Sequence, residues 1–443
     1  MALLFPRPRG TRDLFPEELV LVRHLERTAR RVAEAAGCQE IRPPLFEDTR
    51  LFARSLGDAS DVVEKEMFTV PRRSDPDSAK DPTAASGGYT FRPEGTAGAA
   101  RAYVEGGFPQ RDPLQKWFYL GPMFRYERPQ KGRERQFTQF GAEIFGAASP
   151  MADAEVVEIA LRFFELLGFG AALEVRVNSM GDPEDRDRWR LALKAFFLPH
   201  LPDRCADCRD RFERNVFRLL DCKLERCRQL NQGAPSLFAV MGEGARAHHE
   251  GFVSALTTLG RLVKEDRTIV RGLDYYTRTV FEIHYPPLGT RSALCGGGRY
   301  DGLVSEVGGP PTPAVGFAVG FTPTELALAE LGLPPAADLQ DLRADLAPQI
   351  WCIAIGEEDR SAIFLLAQVL RAAGLRAELD LRGKSAKAQF KEAGKSGARY
   401  AVTVGAVERA AGTAVVKDLA QGTEERLPQT GLAARLRAAL ASV

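Results

Sequence analysis

The chain has 443 residues, 44% of them hydrophobic and 27% charged, with a formal net charge of +1. That length suggests two or three domains, and that composition suggests a globular protein with ample material for a core. The near-neutral balance excludes binding to nucleic acid through overall charge, so any such contact must come from local patches. The apolar run near the start is too short for a signal-peptide core and is broken by Pro6 and Pro8. No stretch approaches the roughly 18 apolar residues needed for a membrane span. Seven cysteines, an odd number, argue against a secreted disulfide framework. The expectation is a cytoplasmic protein with no membrane partner.

Residues 17–36 carry Leu19, Val22, Leu25, Ala29, Val32 and Ala36 at helical spacing, and Gly37 stops the helix. A strand is expected from Gln39 to Ile41. Pro43-Pro44 follows, a pair that marks a sheet edge or a kink because proline cannot donate to a ladder. Met67–Val70 and Tyr89–Phe91 read as a hairpin, and the polar residues 71–88 between them as a long mobile loop. Strand signals recur at Trp117–Leu120, Gln136–Phe145, Leu173–Asn178, Ile269–Val270 and Thr279–Tyr285, with a helix over 153–168. Long strands with few helices and no regular βαβ alternation predict an α+β fold. Residues 183–265, rich in Asp, Arg, Glu and Cys and mostly helical in period, read as an insertion into a domain spanning 1–333. Residues 334–348 read as a linker. Beyond it, strands at Ile350–Ile355, Arg376–Leu381 and Tyr400–Val404 alternate with helices over 359–373 and 385–397. That βαβαβ grammar predicts a separate α/β domain over 349–443.

Between the strands ending at Phe124 and starting at Gln136 lies a loop carrying Arg125, Arg128, Arg133, Arg135, Lys131, Glu127 and Glu134. Guanidinium forks suit phosphate oxygens, although a charged loop can equally be a solvated turn. Arg92-Pro-Glu-Gly-Thr96 places a carboxylate and a hydroxyl in a tight turn able to hold an ammonium group. Arg271–Glu282 puts an arginine and two tyrosines beside a strand. Cys295-Gly-Gly-Gly-Arg-Tyr-Asp-Gly302 allows close backbone approach, or simply a bulge.

Together these segments resemble the histidyl-tRNA synthetases, over nearly the whole chain. Phe124–Glu143 resembles class II motif 2, and Arg271–Glu282 and Gly296–Gly302 resemble the two histidine-specific signatures. Gly10-Thr-Arg-Asp-Leu14 fits the family's opening segment. The first helix with Pro43-Pro44 resembles motif 1, which implies a homodimer. The resemblance implies a class II catalytic domain built on an antiparallel sheet, with a helical insertion and a C-terminal α/β anticodon-binding domain. It implies activation of histidine by ATP with Mg²⁺, then transfer to tRNA(His). Arg125 and Arg271 would then flank the α-phosphate, Glu127 would read adenine, and Arg133 would reach the outer phosphates. Glu94, Gly95, Thr96 and Gln139 would form the ammonium site. Glu143 and Tyr276 would each bond one imidazole nitrogen, while Tyr275 and Tyr300 close the pocket. Arg128 and Gln130 would face the tRNA acceptor end.

The third class II motif usually ends in an arginine that sandwiches adenine. Here Pro323 stands in its place, so the sequence departs from the family pattern at that contact. A non-catalytic paralogue, like the regulatory subunit of ATP phosphoribosyltransferase, is the main alternative, but such proteins lack the C-terminal domain and erode motif 2. An RNA-binding scaffold is a more distant one. Cys205/Cys208 and Cys222/Cys227 can form a structural zinc site, but the second spacing is longer than the usual C-x₂-C. Reduced thiols packed on helix faces are therefore the favoured reading, and no metal ligand is assigned. Cys38, Cys295 and Cys352 read as core. The five histidines fall in no catalytic or metal-binding pattern. A basic band, Arg382, Lys384, Lys387, Lys391, Lys395 and Arg399, would face tRNA phosphates in the anticodon domain, or else solvent.

Overall fold

A computed structural model describes residues 4–56, 63, 66–70, 88–128, 132–220, 222–267, 269, 275–332, 339, 342–343 and 346–441, with Ala171, Thr290 and Arg291 described by their backbone only. The chain divides into two compact units, Met1–Pro335 and Ala336–Val443.

The first unit is organised by a sheet built from β1 (Gln39–Glu40), β5 (Gln115–Phe124), β6 (Gln136–Phe145), β7 (Glu174–Ser179), β8 (Val263–Glu265), β9 (Thr277–His284), β10 (Ala293–Arg299) and β11 (Ala314–Gly320). Their spatial order is β1-β5-β6-β11-β10-β9-β7-β8. Pairing is antiparallel throughout except at the two edges, where β1 joins β5 and β8 joins β7 in parallel. Three short strands, β2 (Phe46–Asp48), β3 (Phe68–Val70) and β4 (Tyr89–Phe91), form a second sheet in the order β2-β4-β3. The hairpin expected there is present, and its loop lies up to residue 87 outside the described residues.

Side chains alternate across a strand, so each strand of the main sheet serves two environments. One face carries Phe118, Phe140, Ile144, Phe317, Phe281 and Ile283 into a core shared with Leu25, Val32 and Phe163 of the helices Pro16–Ala35 and Pro150–Leu166. The other face is floored with small residues: Gly141 pairs with Ala318, and Glu143 pairs with Gly316, itself opposite Gly298. That bare floor leaves room for a site.

The helix Pro16–Ala35 ends before Gly37, which adopts φ +77°. Pro43-Pro44 follows the edge strand β1, and the buried Arg92 clamps the pair by donating from Nη1 to the Pro43 carbonyl at 2.8 Å. Two expectations fail. Ile269 is in no strand and Val270 lies outside the described residues; the edge strand is β8, inside the stretch read as helical. Val263-Lys-Glu is too short to display a period. Cys295–Arg299 lies in strand β10, a strand the sequence reading did not assign. Its register slips between Gly298 and Arg299, so the bulge reading survives inside β10.

In the second unit, β12 (Ile350–Ala354), β13 (Ala377–Leu379) and β14 (Tyr400–Val404) are parallel, as the βαβαβ pattern requires. A hairpin not foreseen, β15 (Thr413–Asp418) and β16 (Glu424–Pro428), extends the sheet to the order β13-β12-β14-β15-β16. The helix Leu432–Ala441 contributes Leu432 and Leu436 to the core around Ile350, Leu366 and Val402. The basic band is partly neutralised. Arg382 and Lys384 share Glu392, and Arg399 pairs with Asp418 at 2.7 Å, while Lys387, Lys391 and Lys395 are exposed.

Candidate active site

Glu143 on β6 has no exposed surface. Its Oε1 accepts from Thr96 Oγ1 at 2.8 Å and from the Tyr119 hydroxyl at 3.1 Å, and its Oε2 accepts a short bond from the Tyr300 hydroxyl. A Cβ at Gly316 would lie 1.6 Å from Glu143 Oε2, so only glycine permits the carboxyl there. Burial is the largest influence on this group. It outweighs the three hydroxyl donors and pushes the carboxyl up to about 8.

Thr96 opens the helix Thr96–Glu105, and the buried Glu94 caps that helix. Glu94 accepts from the backbone N–H of Thr96 at 2.6 Å and of Ala97 at 2.8 Å. Burial pushes the Glu94 carboxyl up, against the pull of those bonds. Gly95 packs against Tyr119, where a Cβ would meet the ring at 2.2 Å. The rings of Tyr275 and Tyr300 meet edge to face at 5.5 Å, and Tyr276 lies 4.6 Å from Tyr275, so the phenols form one buried cluster beside Glu143. The segment carrying them is pinned at Arg278, the one non-glycine residue with positive φ (42°) among those described. Its guanidinium is held by Asp182 at 2.6 and 3.1 Å. Tyr300 follows Arg299, a fully buried arginine bonded to Asp153 at 2.6 Å and to Asp301 at 3.0 Å.

Along the same strand, Gln139 is buried and its Oε1 has no partner among the described residues. Gln139 lines a cavity of about 680 Å³ with Arg125, Glu127, Arg133, Phe137, Thr322, Pro323 and Leu326. Arg125 donates from Nε to the Pro93 carbonyl at 2.8 Å, and Arg133 pairs with Glu127 at 3.1 Å. The cavity thus brings Arg125 and Arg133 together with four carboxylates, Glu66, Glu127, Glu134 and Glu330, and with apolar side chains that include Phe137, Pro323 and Leu326. Pro323 lies in the first turn of the helix Phe321–Leu331, where a missing N–H costs little. Arg12 reaches the next turn, pairing with Glu325 at 2.6 Å.

Among the sequence-selected residues, Glu94, Gly95, Thr96, Glu143, Tyr275, Tyr276 and Tyr300 gather in one buried cluster, and Arg125, Glu127, Arg133 and Gln139 line one cavity. Arg128 is exposed. Arg271 and Gln130 lie outside the described residues. Sequence reading missed Tyr119. The available signal was Gly141, paired directly opposite it, since a glycine in a strand interior marks a ring lying across it.

A two-faced antiparallel sheet, with a buried carboxylate cluster on the same strand as a residue lining a charged cavity at the root of a strand–loop–strand, defines the catalytic domain of a class II aminoacyl-tRNA synthetase. Sequence comparison carries this further. The family model described as Histidyl-tRNA synthetase matches residues 10–181 and 221–323, and one described as Anticodon binding domain matches residues 349–439. The Histidine--tRNA ligase of Desulforudis audaxviator is 44% identical over 439 residues, covering 98% of this chain and 99% of its own. That of Desulforamulus reducens is 41% identical over 425 residues, covering 96% and 97%. The crystal structure of apo S. aureus histidyl-tRNA synthetase superposes with a TM-score of 0.77 at 32% identity, covering 98% of this chain and all of that one. The chain belongs to the histidyl-tRNA synthetase family.

The raised Glu143 carboxyl has a consequence for stability. The folded protein holds this proton up to about pH 8, whereas the unfolded chain releases it near 4.5. In that window folding takes up a proton, so the group's contribution is largest at low pH and declines as pH rises. Glu143→Gln cannot titrate. The melting temperature of the unliganded wild type, relative to this variant, is expected to fall from pH 4.5 to pH 8; parallel curves would contradict the assignment.

Proposed function

We propose that the chain activates L-histidine with ATP to histidyl-adenylate and transfers the histidyl group to the 3′ end of tRNA(His). The reading is carried by one observation: the Glu143 pocket and the Arg125 cavity lie on the same sheet face, with the unpartnered Gln139 on the strand between them.

In this account Glu143 and Tyr276 each bond one imidazole nitrogen, with Tyr275 and Tyr300 enclosing the ring. An apolar isostere would leave the buried Glu143 without its partner, which is a strong source of rejection. Glu94, Gly95, Thr96 and Gln139 receive the ammonium group. ATP enters as its Mg²⁺ complex, and the metal offsets charge on the departing pyrophosphate. Arg125 and Arg271 flank the α-phosphorus, Arg133 meets the outer phosphates, and Glu127 reads the adenine amino group. The histidine carboxylate attacks the α-phosphorus and pyrophosphate leaves in line. The work of the protein is positioning and cationic stabilisation, with no need for a general base. The terminal tRNA hydroxyl then attacks the acyl carbonyl and AMP departs. Arg128 and Gln130 sit on the loop that would meet the acceptor end.

We further propose that residues 183–265 act as an inserted subdomain, that residues 349–443 dock the anticodon arm with Lys387, Lys391 and Lys395 near phosphate, and that the chain works in the cytoplasm as a homodimer through the first helix and Pro43-Pro44. Among the described residues no helix is long and apolar enough to cross a membrane.

The regulatory-subunit alternative rests on Pro323 alone. Pyrophosphate exchange separates the two: purified protein with Mg²⁺ is expected to exchange labelled pyrophosphate into ATP with histidine and with no other amino acid. Absence of exchange would sustain the alternative. If Pro323 removes a stacking contact, Pro323→Arg is expected to lower the KM for ATP roughly three- to tenfold, the worth of a cation–π contact of about 1 kcal/mol, with the KM for histidine unchanged. A rise in both would show that the proline wall is the better adenine platform.

A further inference from the structure

The stretch between the two matched segments of the family model, 10–181 and 221–323, contains Cys205 and Cys208, and the second segment opens just before Cys222 and Cys227. In the structure these four residues meet. All four sulfurs lie within 4.8 Å of one another, and Cys205 Sγ is 4.0 Å from Cys222 Sγ. A tetrahedral zinc with Zn–S bonds of about 2.3 Å holds its sulfurs about 3.8 Å apart. A disulfide needs sulfurs at about 2.05 Å, and none of the four forms one.

Two of the sulfurs accept backbone N–H groups, as the sulfurs of a metal site can. The backbone N–H of Cys208 points at Cys205 Sγ at 3.4 Å, and the N–H of Cys205 points at Cys227 Sγ at 3.4 Å. Cys208, Cys222 and Cys227 are buried and Cys205 is partly exposed, leaving a path for entry. Arg204, next in the chain, supplies an independent observation. It is 3% exposed, yet its guanidinium meets only neutral partners among the described residues: Asn231 Oδ1 at 3.0 Å, the Leu230 carbonyl at 3.0 Å and the Phe197 ring at 4.2 Å. Its Nε has no hydrogen-bond partner there. An enclosed cation without a carboxylate is costly. Four thiolates around one divalent cation carry net charge 2−, which would supply the missing counter-charge.

The local fold also needs a staple. From His200 to Met241 the described elements are short, the longest being the nine-residue helix Ala206–Arg214. Short elements with little sheet pairing bury too little to hold themselves.

We propose that Cys205, Cys208, Cys222 and Cys227 bind one structural Zn²⁺. The four thiols release their protons to solvent on coordination, and no electron is transferred. The test uses full-length protein without a histidine tag, purified in the absence of chelator. Elemental analysis is expected to give about one zinc per chain, lost in Cys208→Ser and in Cys205→Ser and retained in Cys38→Ala. Stripping the wild type should lower its melting temperature by several degrees, and Co²⁺ added back should produce the visible d–d and sulfur-to-metal bands of a tetrahedral thiolate site. Because the spectrum is read on wild-type protein, it stands even if the variants fail to fold. Zinc-free protein with four freely titrating thiols and no Co²⁺ spectrum would overturn the proposal, as would a disulfide within the cluster.

Discussion

Everything in the catalytic unit is arranged around a carboxyl group buried where water cannot reach it. Burying Glu143 is unfavourable unless its oxygens are bonded, and the bonds come from three separate places: Thr96 at a helix start, Tyr119 on the neighbouring strand, and Tyr300 just past β10. One side chain thereby gathers the turn at residues 92–96, the central strands and the tyrosine cluster into a single pocket. The same burial raises its proton affinity, so the buried carboxyl holds its proton well above the usual carboxylate range.

The sheet makes this possible by assigning opposite chemistry to its two faces. Phenylalanines and aliphatic residues on one side meet the helices Pro16–Ala35 and Pro150–Leu166, which fixes the register. With the register fixed, glycine and alanine on the other side stand clear of Glu143 and Tyr119. Remote supports hold the rim. Arg92 ties the 92–96 turn to Pro43, Arg299 ties the approach to Tyr300 onto Asp153, and Arg278 accepts backbone strain to bring Tyr275 and Tyr276 into the pocket. Pro323 fits this frame as part of the wall of the cavity that Arg125 and Arg133 also line.

The sequence displayed contiguous chemistry well. β6 and β14 are read to their ends, and the basic loop, the 92–96 turn and the tyrosine pair are short motifs whose residues carry their own signal. It could not display what depends on register. Thr96 and Glu143 are 47 residues apart, and Tyr300 and Glu143 are 157 apart, so their meeting appears only when strands pair. Tyr119 was hidden because an aromatic in a strand run is most often core, and only the glycine opposite marks it otherwise. The edge strand β8 and the hairpin β15–β16 were missed because a few residues amid charges show no period. The convergence of the four cysteines was undecidable from spacing, since it depends on how the short helices of the insertion fold back.

The central claim is that the bare sheet floor exists to seat Glu143. Calorimetric titration of histidine into Gly316→Ala tests it most directly, because the added methyl would meet the Glu143 carboxyl at 1.6 Å, closer than the next residue it meets, the Ala142 carbonyl at 2.7 Å. The account predicts that histidine binding falls by at least tenfold while ATP binding and the circular dichroism spectrum stay as in the wild type. Unchanged histidine affinity would show that the pocket does not depend on that carboxyl's position.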